Sequence, residues 1–286
     1  MAGAAAAAGG AGGGAGGAEA RTRAPPRPLG GIMAAGPAAG PRASGMTWFT
    51  SFYKSAVGKK AVMAITGIVL FGFVVAHVAG NLKAFAGPEA FDEYAAFLRD
   101  VGAPAVPHHA VLWTFRIVLL AAVALHVHAA ASLVLMARRA RPRDYDRYDP
   151  VQLDYAARTM RWGGVIIFLY VVYHLLHLTW GTVHPDFRPP EDGSHHAYYN
   201  LVVGLAHPVV SGVYVLASIV LGLHLYHGLW SMFQSLGWNH PRYNRWRRGF
   251  AVLFAIAIAA GFVAVPVAVQ LGVLELPPAG GGGTPQ

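Results

Sequence analysis

The chain has 286 residues, of which 55% are hydrophobic and 12% charged, and its formal net charge is +9 at pH 7. A soluble domain carries about 25% charged residues, so this composition excludes an ordinary globular protein and points to the membrane. The basic residues fall between hydrophobic runs rather than on one surface, which excludes a nucleic-acid-binding face. There is no cysteine. That rules out disulfides, thiolate-held iron–sulfur clusters within this chain and haem attachment through C-x-x-C-H. A redox centre here must be held by histidine, another non-sulfur ligand or methionine.

Residues 1–45 are Ala/Gly/Pro-rich with scattered arginines (Arg21, Arg23, Arg27) and no apolar core of a signal peptide. They read as a disordered tail, or as the product of an upstream start with Met46 as the real beginning. Residues 277–286 are a similar tail. Between them, 46–276 form one domain with five apolar runs: Ala61–Val78, Ala110–Ala137, Trp162–Trp180, His207–Leu236 and Phe250–Leu271. Each is close to or above the roughly 18–20 residues that cross a bilayer as a helix, and none alternates like a barrel strand. The expected fold is therefore all-α, an integral membrane bundle of five transmembrane helices.

Basic residues set the expected orientation. Lys54, Lys59 and Lys60 precede run one. Arg138, Arg139, Arg141, Arg143, Arg147, Arg158 and Arg161 separate runs two and three, and Arg242, Arg245, Arg247 and Arg248 separate four and five. The other connections hold only Lys83, Arg99 and Arg188. The positive-inside bias puts the N-terminus in the cytoplasm and the C-terminus outside. The connection from Asn81 to His109, with Glu89, Asp92, Glu93 and Tyr94, reads as a short amphipathic external helix.

Intramembrane histidines are uncommon and usually functional. Here they occur in four successive spans: His77; His126 and His128; His174 and His177; His224 and His227. Low-spin haem iron takes two axial imidazoles, so four helices with one ligand each can hold two haems. At about 1.5 Å per residue, His77 lies roughly 9 Å inside Lys83 and His174 roughly 15 Å from His184, both toward the outer ends of their spans. His126 lies about 25 Å from His109, and His224 about 25 Å from His207. The expected pairs are His77 with His174 on the outer level and His126 with His224 on the inner.

Small residues let a flat macrocycle approach a helix, and Gly80, Ala129, Ala130 and Gly228 lie three or four positions after a histidine, on its own face. Such residues also serve ordinary helix contacts. His128 sits on the face opposite His126, and the alanine pair favours His126 as the ligand. His177 and His227 share a face with His174 and His224; a propionate, quinone, water and plain packing are all open to them. Arg116, well inside the second span, reads either as a propionate partner or as a residue snorkelling to the outer surface.

These residues resemble those of the single-chain, five-helix, di-haem cytochrome b subunit of succinate dehydrogenase and fumarate reductase. The likeness runs over about residues 47–271. It is carried by Ser55-Ala-Val-Gly-Lys-Lys60 leading to His77-Val-Ala-Gly-Asn-Leu82, by Arg139-Ala-Arg-Pro142, Arg161-Trp-Gly-Gly164 and Tyr173-His-Leu-Leu176, and by His224-x-x-x-Gly-Leu-Trp230 running to Gln234-Ser-Leu-Gly237. The resemblance implies two haem b groups on His77, His126, His174 and His224, and a place in the bacterial cytoplasmic membrane. It also implies flavoprotein and iron–sulfur partners on the cytoplasmic side. Succinate chemistry would belong to the flavoprotein; this chain would pass electrons to a quinone, menaquinone in the first instance. Relatives place quinone near the outer haem, where Glu89, Asp92 and Tyr94 are the nearest titratable candidates. An ordinary solvated loop face is their other reading.

Two rivals remain. A cytochrome b with two ligands per helix needs histidines on a common face, whereas His207 and His224 are 17 positions apart, about 100° off one. A haem-free, proton-coupled transporter with a histidine relay needs no small residues beside the histidines and usually shows internal repeats, which this chain lacks.

Overall fold

The computed structural model describes residues 45–140, 155–190, 196–238 and 240–277. Of the two expected tails, 1–45 and 277–286, residues 1–44 and 278–286 lie outside the described residues, as do Arg141, Arg143 and Arg147. The described residues form helices and no strand: α1 (Gly45–Lys54), α2 (Ala56–Leu82), α3 (Pro88–Asp100), α4 (Ala110–Arg139), α5 (Tyr155–His174), α6 (Ala197–Ala206), α7 (Pro208–Ser235) and α8 (Pro241–Gln270). Five are long and apolar enough to cross a membrane: α2, α4, α5, α7 and α8. The chain is thus an all-helical protein of multi-pass membrane type. The amphipathic connection is α3, while α1 and α6 were not anticipated by the sequence reading.

Local chemistry sets the helix ends. Ser55 caps α2 by accepting a hydrogen bond from the Gly58 amide at 3.0 Å. The turn from α1 is so tight that a Cβ at Gly58 would stand 2.0 Å from the Phe52 carbonyl oxygen. At α7 and α8 a histidine precedes the first-turn proline, and its Nδ1 accepts the amide two residues on: His207 from Val209 at 3.3 Å and His240 from Arg242 at 3.2 Å. His109 is the N-cap of α4, at φ 66°.

With lipid as solvent, helices associate through close packing of small residues. A Cβ at Gly222 of α7 would meet Ala259 of α8 at 2.9 Å, and one at Gly261 of α8 would meet Val78 of α2 at 2.5 Å. Phe71 of α2 and Phe254 of α8 stack at 4.4 Å. The extensive backbone contacts run α2–α4, α2–α8, α7–α8 and α5–α7.

One end of the bundle carries α1 and the basic residues Lys54, Lys60, Arg138, Arg139, Arg242, Arg245 and Arg248. The other carries α3 and α6 with Glu89, Glu93, Asp100, Asp186 and Glu275. The main buried apolar cluster sits at the α3/α6 end: Tyr198, Leu201, Val202 and Leu205 of α6 pack on Tyr214 and on Val265 and Ala268 of α8. Overpacking a tight contact costs about 1–3 kcal/mol. Gly261→Val is therefore expected to lower the melting temperature of the detergent-solubilised protein. Gly249→Val, where a Cβ has no neighbour within 4 Å, is expected to leave it unchanged.

Candidate functional site

Four imidazoles meet across the bundle in two pairs. The ring centroids of His77 (α2) and His174 (α5) are 5.8 Å apart, and those of His126 (α4) and His224 (α7) are 6.4 Å apart. None of these helix pairings is among the closely packed ones. Side chains, not backbones, span the interval, and each ring is only half-buried by protein. A metal–imidazole bond is about 2.0–2.1 Å and the ring centroid lies about 1.1 Å further back, so two imidazoles on opposite sides of one metal have centroids about 6.3 Å apart.

The two pairs stand at different depths. His126 lies opposite Gly67, its Cε1 3.6 Å from where a Cβ would be, and His224 lies opposite Gly164 at 3.9 Å. His77 is ten positions beyond Gly67 on α2, and His174 is ten beyond Gly164 on α5. Both helices therefore separate the tiers by roughly 15 Å.

Hydrogen bonds decide which ring nitrogen is free. The Thr66 hydroxyl donates to the Val62 carbonyl at 2.8 Å, and its oxygen lies 3.1 Å from His126 Nδ1. A hydroxyl has one proton; when it goes to the Val62 carbonyl, a neutral His126 donates its Nδ1–H to Thr66 and keeps Nε2 free to ligate. His174 Nδ1 lies 3.3 Å from the Tyr214 hydroxyl. His224 Nδ1 is buried with no partner. A neutral imidazole whose Nδ1–H is taken by a partner such as Thr66 can ligate a metal through Nε2. No group of three or more His, Cys, Asp or Glu side chains gathers around a metal position among the described residues. Two facing imidazoles could serve only as part of a metal's ligand set, so a metal held here would need its remaining ligands from a non-protein group.

The remaining candidates have other neighbours. Gly80 lies under Tyr94, whose ring atoms would be 2.7 Å from a Cβ there; Gly228 has nothing within 4 Å. Ala129 is fully buried and Ala130 half-buried. The glycines that face the rings of the His126/His224 pair are Gly67 and Gly164, on other helices. Asp92 accepts the Tyr198 amide at 2.9 Å and so holds the first turn of α6. Tyr94, with the Lys83 ammonium 5.3 Å over its ring, packs α3 on α2, and Glu89 is exposed. Arg116 is exposed with its guanidinium 5.0 Å over Trp113. His128 bonds Tyr53 at 2.6 Å, tying α1 to α4. His227 is half-buried one turn beyond His224.

A third group of rings lies beyond the His77/His174 pair. After His174 the helix widens into a π-turn over Leu175–Thr179, a feature that often marks functional sites. It carries His177, 2% exposed, whose Nδ1 is 2.9 Å from the Tyr214 hydroxyl. His184 folds back from the following loop with centroids 5.0 Å from His177; it is 5% exposed and neither of its ring nitrogens has a partner. Gly204 of α6 permits this, since a Cβ there would stand 3.0 and 3.2 Å from the two rings.

No family model, curated protein or solved structure matches the chain.

Burial lowers the His184 pKa from 6.5, against a weaker opposing effect of Asp186. The unfolded state then binds the proton more readily, so the stability due to the neutral ring is complete above pH 6.5 and is lost as pH falls below it. His184→Leu is expected to flatten the fall in melting temperature between pH 7 and 5. An unchanged slope in that variant would count against a buried neutral His184.

Proposed function

We propose that this chain is the membrane-anchor cytochrome b subunit of a succinate:quinone oxidoreductase and binds two b haems. His77 with His174 holds the outer one and His126 with His224 the inner. The observation that carries the reading is the pairing itself: two sets of facing imidazoles at two depths, on helices that are not closely packed, with separations matching two axial nitrogens on one iron. The order of sequence motifs that resembles the di-haem family supports the rest. When bound, each haem supplies one-electron chemistry at its iron.

The chain's own residues do the remaining work. The four imidazoles fix the iron positions, Thr66 and Tyr214 orient two of them, and the apolar helices exclude water. The basic α1 end faces the cytoplasm by the positive-inside bias, and there the flavoprotein and iron–sulfur subunits dock. With haem bound, His126 and His224 would hold the group that takes electrons from the iron–sulfur subunit, and His77 and His174, roughly 15 Å away along the helices, the one that would pass them to menaquinone near the α3/α6 end. Succinate oxidation itself belongs to the flavoprotein. The setting is the bacterial cytoplasmic membrane.

One observation favours a second reading. The buried series His184, His177, Tyr214 and His174 is the kind of chain that a proton-coupled transporter with a histidine relay would use. A reduced-minus-oxidised spectrum of the purified chain separates the two, and a b-type band with two haems per chain by pyridine haemochrome is expected. His77→Ala and His174→Ala are expected to lose the same haem, and His126→Ala and His224→Ala the other. Absence of any b-type band in the wild-type chain would leave the transporter reading.

A further inference from the structure

We propose that Tyr214 is the positioning residue of the His77/His174 site, its one hydroxyl proton fixing the ring tautomers of His174 and His177 and thereby the redox potential of that site. This rests on the two-haem reading above. The phenol reaches in from α7, a helix that carries neither member of the pair, and its oxygen lies 3.3 Å from His174 Nδ1 and 2.9 Å from His177 Nδ1. Tyr214 is 7% exposed, so water does not take over either bond.

A phenol has one proton to donate, and it cannot serve both nitrogens. If His174 ligates iron through Nε2, its proton is on Nδ1, and it must donate to the Tyr214 oxygen. The Tyr214 proton then goes to His177 Nδ1, and the His177 proton moves to its Nε2. Ligation at one end thus sets the direction of the whole series. His177 is held for the purpose: its ring stacks on Tyr173 at 5.4 Å and 12°, lies beside Gly204, and is backed by His184.

An acceptor on the far nitrogen of a ligating imidazole fixes the ring orientation and raises its basicity, which favours oxidised iron and lowers the potential. The acceptor here is polarised, because Tyr214 donates onward while it accepts. At the other site Thr66 accepts from His126 and donates only to its own helix carbonyl. The effect of Tyr214 should therefore be confined to one haem.

The test is a potentiometric titration of the full-length chain in membranes, following haem absorbance and the low-spin EPR signals. Second-shell changes shift metal affinity by about tenfold or more. Tyr214→Phe is thus expected to raise one midpoint potential by on the order of 60 mV, since tenfold is 59 mV for one electron. The component that moves should be the one missing in His77→Ala, with the other unmoved. His177→Leu is expected to move the same component in the same direction by less, because the phenol still accepts from His174. The proposal is overturned if Tyr214→Phe leaves both potentials in place, or moves the component that His126→Ala removes. Should Tyr214→Phe fail to assemble, an unshifted titration of His177→Leu overturns it alone. Failure of the two-haem reading looks different: the wild-type chain then shows no b-type spectrum.

Discussion

An imidazole inside hydrocarbon must find a partner for each nitrogen, because no water is present and an unsatisfied polar group there costs several kcal/mol. The structure around the spans answers that constraint. Thr66 takes Nδ1 of His126, and Tyr214 takes Nδ1 of His174 and of His177. In the four-ring core this satisfies one nitrogen each of His126 and His174, while Nδ1 of His224 stays buried without a partner. The rings themselves turn toward one another across intervals that no close backbone packing fills. A helix bundle that needed these histidines only for packing would close those intervals with small or apolar residues, as α7 and α8 do along Gly222, Ala255 and Ala259.

The glycines show why the pairs are placed as they are. Each histidine of the His126/His224 tier faces a glycine on a helix other than its partner's: Gly67 on α2 for His126, and Gly164 on α5 for His224. Those two helices carry the histidines of the other tier, ten positions further on in both cases. One helix therefore gives way at one level and supplies a histidine at the other. The tier spacing is fixed by helical rise rather than by loops, which makes the arrangement insensitive to changes outside the spans.

Much of this was legible in the sequence because it depends on counting. Five spans follow from run length. The expected pairing follows from depth measured against Lys83, which is the C-cap of α2, and against three histidines, His109, His207 and His184. Two of these markers, His109 and His207, turn out to cap α4 and α7. The third is not a span end, since the helical segment stops at Thr179 and His184 folds back onto His177. An error of five residues is half the ten-residue tier spacing, so the pairing survived it. What sequence could not supply were contacts between helices. Periodicity reports which residues share a face of one helix, and it pointed to Gly80 and Gly228; the small residues beside the imidazoles, Gly67 and Gly164, come from opposing helices. Gly164 stood in the Arg161–Gly164 motif, but nothing in one sequence says what it faces. Asp92 and Tyr94 read as titratable candidates because their partners, the Tyr198 amide and Gly80, are 106 and 14 positions away. Helix α6 was missed because its ten residues before His207-Pro208, apolar apart from Asn200, are too short for a span and lack an amphipathic signature.

The two tiers differ in how their imidazoles are held, and that difference bears on direction. His126 is tied to a threonine whose proton is already committed to its own helix, a local bond that changes little with events elsewhere. His174 is tied to a phenol shared with His177, which is packed against His184 near the α3/α6 end. If both tiers carry iron, burial in the same hydrocarbon gives them similar starting potentials, and second-shell bonding becomes the term that separates them. The phenol beside His174 bonds onward to a further ring, whereas Thr66 bonds only within its own helix. Under the proposed two-haem reading, a quinone that takes up protons on reduction would be served by the site whose hydrogen bonds lead toward the α3/α6 end. On that reading the asymmetry in hydrogen bonding would make the His77/His174 site the terminal one, a ground separate from the loop charges.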